Sequence, residues 1–404
     1  MLERRIPEWL RHAPAPSVRG FAALSGIEAI ARGILISVFP LVMYRALGDA
    51  KLVSETYFII GIMSLFGGLM VPLLNALIPR RWLYCFGAGL FALGSFLAIL
   101  GGYFVVVALL LITLGTVTMF VCFNAYVLDY IARIELGKCE TSRMFYSAVG
   151  WTFGPVLGVF LMKWWPPAPF LIAGSAALCL MALFLFMRLG NGKLVAKARR
   201  AAPNPIRFLP RFLAQKRLVA GYLIAVIRSA GWWIYVVYLP IFAVQNGLGE
   251  TVGGAALSVS NGLLFLTPLL LKFIERATVR RAIRIGFLLS ACLFALATVA
   301  AGLPWLVVGL LVAATGFLIL LDICAGLPFL MAVHPHERTE MSAIYSSFRD
   351  ISAVITPGAA WLALLVGPFT GIFAMGAAVL LGGWVLAGTL HPRLGRDRKP
   401  KGVA

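Results

Sequence analysis

The chain has 404 residues, of which 61% are hydrophobic and 12% charged, and its mean hydropathy is +0.95. Soluble domains carry about 25% charged residues, so this composition excludes a water-soluble enzyme, a disordered chain and a nucleic-acid-binding domain. The net charge of +20 does not point to nucleic acid either, because the basic residues sit between apolar blocks, where a membrane protein keeps its topology signal.

A membrane-spanning helix takes about 20 mostly apolar residues. Runs of that kind predict spans at 18–46, 55–78, 82–102, 104–131, 144–164, 167–188, 218–245, 251–274, 282–302, 304–333, 342–366 and 369–390. The runs are long and continuous, whereas barrel strands would alternate in units of about ten residues. The expected fold is therefore an all-α membrane protein with twelve transmembrane helices. Placing both termini in the cytoplasm puts 29 of the 35 Lys/Arg on that side and 3 outside, with Arg32, Arg228 and Arg349 inside spans. This asymmetry satisfies the positive-inside rule. The N-terminal stretch MLERRIPEWLRHAPAPSVRG has no small-residue cleavage site and reads as a retained cytoplasmic segment rather than a signal peptide.

Charges inside spans are costly, ~3 kcal/mol each on insertion scales, and each is a candidate functional group. In span 1, Glu28 and Arg32 are four residues apart, share a helix face and can pair. Span 4 carries Asn124 and Tyr126 toward its end, with Asp129 beyond them. Span 5 carries Gly150-Trp-Thr-Phe-Gly154-Pro155-Val-Leu-Gly158. Glycines four apart let helices approach closely, and Pro155 frees a backbone carbonyl; the stretch is either a packing seam or a gating element. Residues 189–217 form the longest polar connection, a basic linker whose positive run serves as a topology determinant that touches anionic lipid. Span 7 holds Arg228 followed by Trp232, Trp233 and Tyr235; span 10 holds Asp322; Arg349 and Asp350 open span 11. The six cysteines form no CxxC pair, and the histidines fall near span ends. Neither a disulfide framework nor a metal site is expected, and no cofactor is implied.

The linker separates two sets of six spans that match each other. Pro40-Leu41 corresponds to Pro240-Ile241, Glu55-Thr56 to Glu250-Thr251, PLLNALIPRR to PLLLKFIERATVRR, and Tyr146-Ser147 to Tyr345-Ser346, at offsets of 195 to 200. Such duplicated halves are a common transporter architecture, with the solute site at the interface between repeats. The expected organisation is an N-terminal segment at 1–17, a six-helix bundle at 18–188, the linker at 189–217, a second bundle at 218–390 and a basic tail at 391–404. Glu28 and Arg228 both lie 12 residues before the matched prolines, so the repeat places an acid and a base at equivalent depths.

Twelve spans, a long basic central loop and the six-plus-six repeat together resemble the major facilitator superfamily. The span 5 motif is similar to the GxxxGPxxG pattern of its drug/proton antiporters, with Val159 in place of the usual final glycine. The loop after span 2 keeps Arg80 and Arg81 but has Ala76 where the family carries an acid, and span 4 lacks the mid-helix arginine of many drug exporters. In that family spans 1, 4, 7 and 10 line a central cavity, so the resemblance implies that Glu28, Arg32, Asn124, Tyr126, Arg228, Trp232, Tyr235 and Asp322 contact solute. Glu28 leads and Asp322 follows as proton-coupling residues. Gly150, Gly154, Pro155, Gly158, Asp129, Arg349 and Asp350 are the conformational set.

The function this implies is secondary transport of a small amphipathic organic solute by alternating access, coupled to protons, with export favoured. The protein is expected to act as a monomer in lipid at a bacterial inner membrane. An uptake permease or exchanger for an organic anion or iron chelate is the alternative. A lipid-modifying enzyme or an assembly factor on the same scaffold is the reading from another class. No nucleophile–base pair, HExxH or glycine-rich phosphate loop supports an enzyme.

Overall fold

A computed structural model describes residues 18–131, 136–187, 205–266, 270, 278–334 and 338–391. Every expected span is met by helix. In chain order the helices are α1 (Val18–Ile36), α2 (Val38–Leu47), α3 (Ala50–Leu77), α4 (Arg80–Ala98), α5 (Phe104–Tyr130), α6 (Leu136–Trp164), α7 (Ala168–Phe186), α8 (Pro205–Leu213), α9 (Lys216–Gln245), α10 (Thr251–Gly262), α11 (Val279–Val299), α12 (Pro304–Cys324), α13 (Leu327–Ala332), α14 (Arg338–Tyr345), α15 (Phe348–Val366) and α16 (Gly371–Gly388). Among the described residues, eleven helices are long and apolar enough to cross a membrane. The eighth expected span is described as α10 and a short 3₁₀ turn, Leu263–Leu266; most of its remainder lies outside the described residues.

The chain divides into two compact units, Met1–Ala46 with Ile62–Ala201 and Leu47–Gly61 with Ala202–Ala404. The first half of α3 thus groups with the later residues, a division the hydropathy pattern does not carry. Its side chains explain why. The Ser54 hydroxyl accepts a hydrogen bond from Tyr238 at 2.9 Å, and the Tyr57 ring meets Trp233 edge-on at 6.3 Å. Phe58 stacks on Trp361 at 6.5 Å. Both Ser54 and Tyr238 are fully buried. Removing one hydroxyl from such a pair costs about 1 kcal/mol, and Ser54 keeps its bond to the Ala50 carbonyl at 2.9 Å. Tyr238→Phe is therefore expected to lower stability by about that amount, read as a small drop in the thermal unfolding midpoint in detergent.

Two local features follow from sequence. The first span is broken at Ser37, three residues before Pro40; proline has no N–H to give the Ile36 carbonyl, and the Ser37 hydroxyl donates to the Pro155 carbonyl of α6 at 2.8 Å. After the first and seventh spans the chain turns at Gly48 and Gly247, both with φ 72°, a conformation L side chains rarely adopt. The two turns lie 199 residues apart and extend the internal repeat.

The basic linker is not wholly a solvated loop. Its second part folds as α8 because Phe208 and Phe212 fall four apart on one face. Phe212 is buried with Leu218, Phe329, Val333, Met341 and Ile344, and Phe208 packs against that cluster. Span 11 also starts later than expected, at Phe348, because α14 ends at Tyr345 as a separate short helix. Tyr345 stacks on Phe329 at 4.0 Å.

Candidate solute site

In the first unit Ser25 and Arg32 of α1 meet side chains of α6. Arg32 and Glu28 form the expected intrahelical pair, Nη1 to Oε1 at 3.0 Å, with side chains 35% and 14% exposed. The Arg32 guanidinium lies 5.3 Å from the ring of Trp151, inside the glycine motif. The motif itself is a backbone-to-backbone seam. A Cβ on Gly150 would reach 2.5 Å from the Ala29 carbonyl carbon, one on Gly154 would reach 2.5 Å from the Gly33 carbonyl carbon, and one on Gly158 would collide with the Ile34 carbonyl oxygen. The glycines therefore have a direct packing role, and Pro155 adds its carbonyl as the acceptor for Ser37.

Nearer the start of α6, Arg143 joins three helices. Its Nε donates to the Ser25 hydroxyl at 3.0 Å, its Nη2 donates to Asn124 Oδ1 at 3.4 Å, and its guanidinium covers the Phe123 ring at 4.7 Å. Hydropathy alone puts Arg143 in a loop, because the apolar run starts at 144. The usable signal is its position seven residues before Gly150, which places it on the seam face of a helix extended by two turns.

The second unit gathers charges from different spans. Arg228 of α9 bonds Asp322 of α12, Nη1 to Oδ1 at 2.9 Å, with side chains 13% and 34% exposed. The indole N–H of Trp232 donates to the other carboxylate oxygen at 3.0 Å. Both oxygens of Asp322 are thus held from one helix, at positions four apart. The Arg228 guanidinium also lies 5.1 Å from the Phe348 ring, while its Nε is buried without a hydrogen-bond partner. Below this cluster α9 is tied by hydroxyls: Ser229 to Ser352 at 2.6 Å and Tyr222 to Ser347 at 3.0 Å.

The repeat explains the contrast between units. At an offset of 200, Glu28 aligns with Arg228, Arg32 with Trp232 and Asp322 with Cys122. Cys122 is 2% exposed and supplies no carboxylate. Among the described residues, Glu28 and Arg32 pair within α1, whereas Arg228 and Asp322 pair across α9 and α12.

Two residues expected to wall the solute are buried among neighbouring side chains. Tyr126 is 3% exposed, with its ring edge against Phe184 at 5.2 Å and Arg80 over its face at 5.3 Å; an aromatic ring inside its own bundle is core. Tyr235 is fully buried, and its hydroxyl is bonded to Ser260 at 2.6 Å. Asn124 is engaged by Arg143. Arg349 and Asp350 lie in the first turn of α15, with the Arg349 guanidinium 5.6 Å from the Phe348 ring. Asp129 falls in the last turn of α5, and its side chain lies outside the described residues.

A family profile described as Major Facilitator Superfamily matches residues 21–357. No curated protein matches the sequence. Solved structures share the fold at low identity. A POT family transporter in complex with a thioalcohol-conjugated peptide has a TM-score of 0.73 at 12% identity, over 94% of this chain and 96% of that one. The nucleoside transporter NupG has a TM-score of 0.69 at 13% identity, over 93% and 99%. A bacterial homologue of the iron transporter ferroportin, in an inward-facing state, has a TM-score of 0.69 at 14% identity, over 92% and 98%.

Proposed function

The chain belongs to the major facilitator superfamily, an integral membrane transporter and not an enzyme, and from that premise we propose that it exports a small amphipathic organic solute by proton-coupled alternating access. The observation that carries this reading is the Arg228–Asp322–Trp232 cluster. A carboxylate inside a span is maintained at a cost of ~3 kcal/mol, and this one joins two helices through a guanidinium and an indole. Protonating Asp322 removes the charge that holds Arg228, which frees Arg228 and Trp232 for solute and releases α9 from α12. Among the described residues Glu28 pairs only with Arg32 of its own helix, so its protonation breaks no interhelical ion pair there. On this geometry Asp322 leads as the coupling residue and Glu28 follows, the reverse of the order drawn from sequence.

The 29-to-3 charge asymmetry supports cytoplasmic termini, at a bacterial inner membrane, and the protein is read as a monomer. A second reading, uptake or exchange of an organic anion, is favoured by one feature: the buried Nε of Arg228 has no partner, leaving a guanidinium edge suited to a carboxylate or phosphate. A thermal-shift screen of candidate solutes on wild type and Arg228→Ala separates the readings. A cationic or neutral amphipath that stabilises only the wild type supports export of such compounds; a carboxylate or phosphate ester that does so supports the anion reading. With the solute in hand, flux into proteoliposomes under an imposed pH gradient tests coupling. Glu28→Gln is expected to slow gradient-driven flux without abolishing it, and full wild-type gradient dependence in that variant removes Glu28 from the mechanism. Absence of flux for every solute that binds would leave the assembly-factor reading standing.

A further inference from the structure

We infer that the second unit carries a site for the phosphate group of an anionic phospholipid, built where the N-terminus of α11 meets the C-terminal part of α16. A cavity of about 480 Å³ opens there, lined by Arg280, Arg281, Arg284 and Trp384 over a floor of Ile285 and Leu288. The three arginines occupy the first two turns of α11, which Thr278 caps by accepting from the Arg281 N–H at 3.3 Å. A helix N-terminus adds partial positive charge and favours phosphate.

The arginines are held by neutral groups. Arg280 Nη2 donates to the Gly388 carbonyl at 2.5 Å, and the Arg284 guanidinium lies 4.7 Å from the Trp384 ring. The Nε atoms of Arg280 and Arg284 are both buried with no hydrogen-bond partner. Among the described residues, no carboxylate pairs with any of the three. Buried donors of this kind are costly unless an acceptor reaches them.

The internal repeat shows that packing does not require this charge. The buried positions of α4 and α11 match at an offset of 199 and those of α7 and α16 at 203, so Arg284 corresponds to Cys85 and Trp384 to Met181. Cys85 is 8% exposed, and neither of these residues carries a cationic group. The cation on a ring between the third and sixth spans of the second unit thus has no charged counterpart in the first. The second unit places an open, positively charged cavity where the first has neutral side chains. The cavity lies at the ends of two candidate membrane spans, at the height where headgroups sit and where tryptophan collects. Its floor of Ile285 and Leu288 continues into apolar helix, which suits the glycerol and upper acyl region of a lipid rather than a free anion. Basic pockets between transmembrane helices bind anionic headgroups in this way.

Native mass spectrometry of the full chain in detergent tests the site, with dioleoylphosphatidylglycerol, dioleoylphosphatidylcholine and inorganic phosphate as separate probes. Wild type is expected to retain phosphatidylglycerol well above phosphatidylcholine, and Arg281→Gln, at an exposed position, is expected to weaken that retention about fivefold. The double variant Arg284→Gln/Trp384→Phe removes the cation and keeps a ring at the site, so it should fold and lose the preference. Arg81→Gln, in the corresponding first turn of α4, should leave it unchanged. The inference fails if both lipids bind alike, if neither α11 variant weakens phosphatidylglycerol, if Arg81→Gln weakens it equally, or if inorganic phosphate displaces the lipid.

Discussion

Asp322→Ala should lower the stability of the folded protein by about 2–3 kcal/mol, and adding Arg228→Met should recover most of that loss without restoring transport. Alanine at 322 removes the acceptor of both the Arg228 and the Trp232 bonds. It leaves a guanidinium 13% exposed in the middle of α9, beside the Phe348 ring. Truncating one partner of a buried charge pair costs 2–5 kcal/mol, mostly for the charge left behind. The lower end applies here because the Asp322 side chain is 34% exposed and partly screened. Apolar residues of similar volume in place of both charges are typically neutral or stabilising, so Arg228→Met/Asp322→Leu should unfold near the wild-type temperature. Transport makes the opposite demand. If the pair handles proton and solute, the well-folded double variant is inactive, and Asp322→Asn, which keeps an acceptor for Trp232, binds solute but loses pH-gradient dependence. Flux through Arg228→Met/Asp322→Leu would reduce the pair to a structural tie.

The architecture was legible because it is written in properties that sum over many residues. Hydropathy over 20-residue windows and the distribution of Lys/Arg do not depend on any single contact, so the helices appear with ends shifted by a few residues. The Glu28–Arg32 pair was equally readable, because i,i+4 neighbours on a helix have no other geometry available. Contacts between helices were not. The Arg228–Asp322 pair depends on which faces of α9 and α12 meet, and the repeat register aligned Arg228 with Glu28 rather than with its true partner. Tyr126 and Tyr235 looked like cavity walls because aromatic residues near charges suit an organic solute. Burial against Phe184 and Ser260 is a property of the folded bundle that spacing cannot report. Helix α8 was lost in the linker because nine residues carrying two arginines and two prolines are too short for a span, although Phe208 and Phe212 mark one apolar face.

The glycine motif of α6 can be taken further. Gly154→Ala is expected to destabilise the first unit by about 1–3 kcal/mol, the usual cost of overpacking a filled site. The added Cβ would lie 2.5 Å from the Gly33 carbonyl carbon and 2.9 Å from its Cα. Those are backbone atoms, so no side chain can swing aside; α1 and α6 have to separate. Separation also stretches the Ser37–Pro155 bond at 2.8 Å and lifts Arg32 from Trp151, so transport should fall with stability. Gly316 on α12 provides the comparison, since nothing lies within 4 Å of a Cβ built there. Alanine at that position removes about 1 kcal/mol of glycine's helix penalty and should leave the protein unchanged or slightly more stable. Thermal unfolding of the two variants side by side checks the contrast, and equal midpoints would mean that the seam is looser than its geometry indicates. A lowered midpoint with normal flux would make the seam static packing. A normal midpoint with flux abolished would mean that α1 and α6 slide along it during the cycle. Close approach at four-residue spacing is what the motif provides physically, and that need is the same whichever way solute moves, so resemblance of the motif to antiporters carries less weight for direction than the charge chemistry of Arg228 and Asp322.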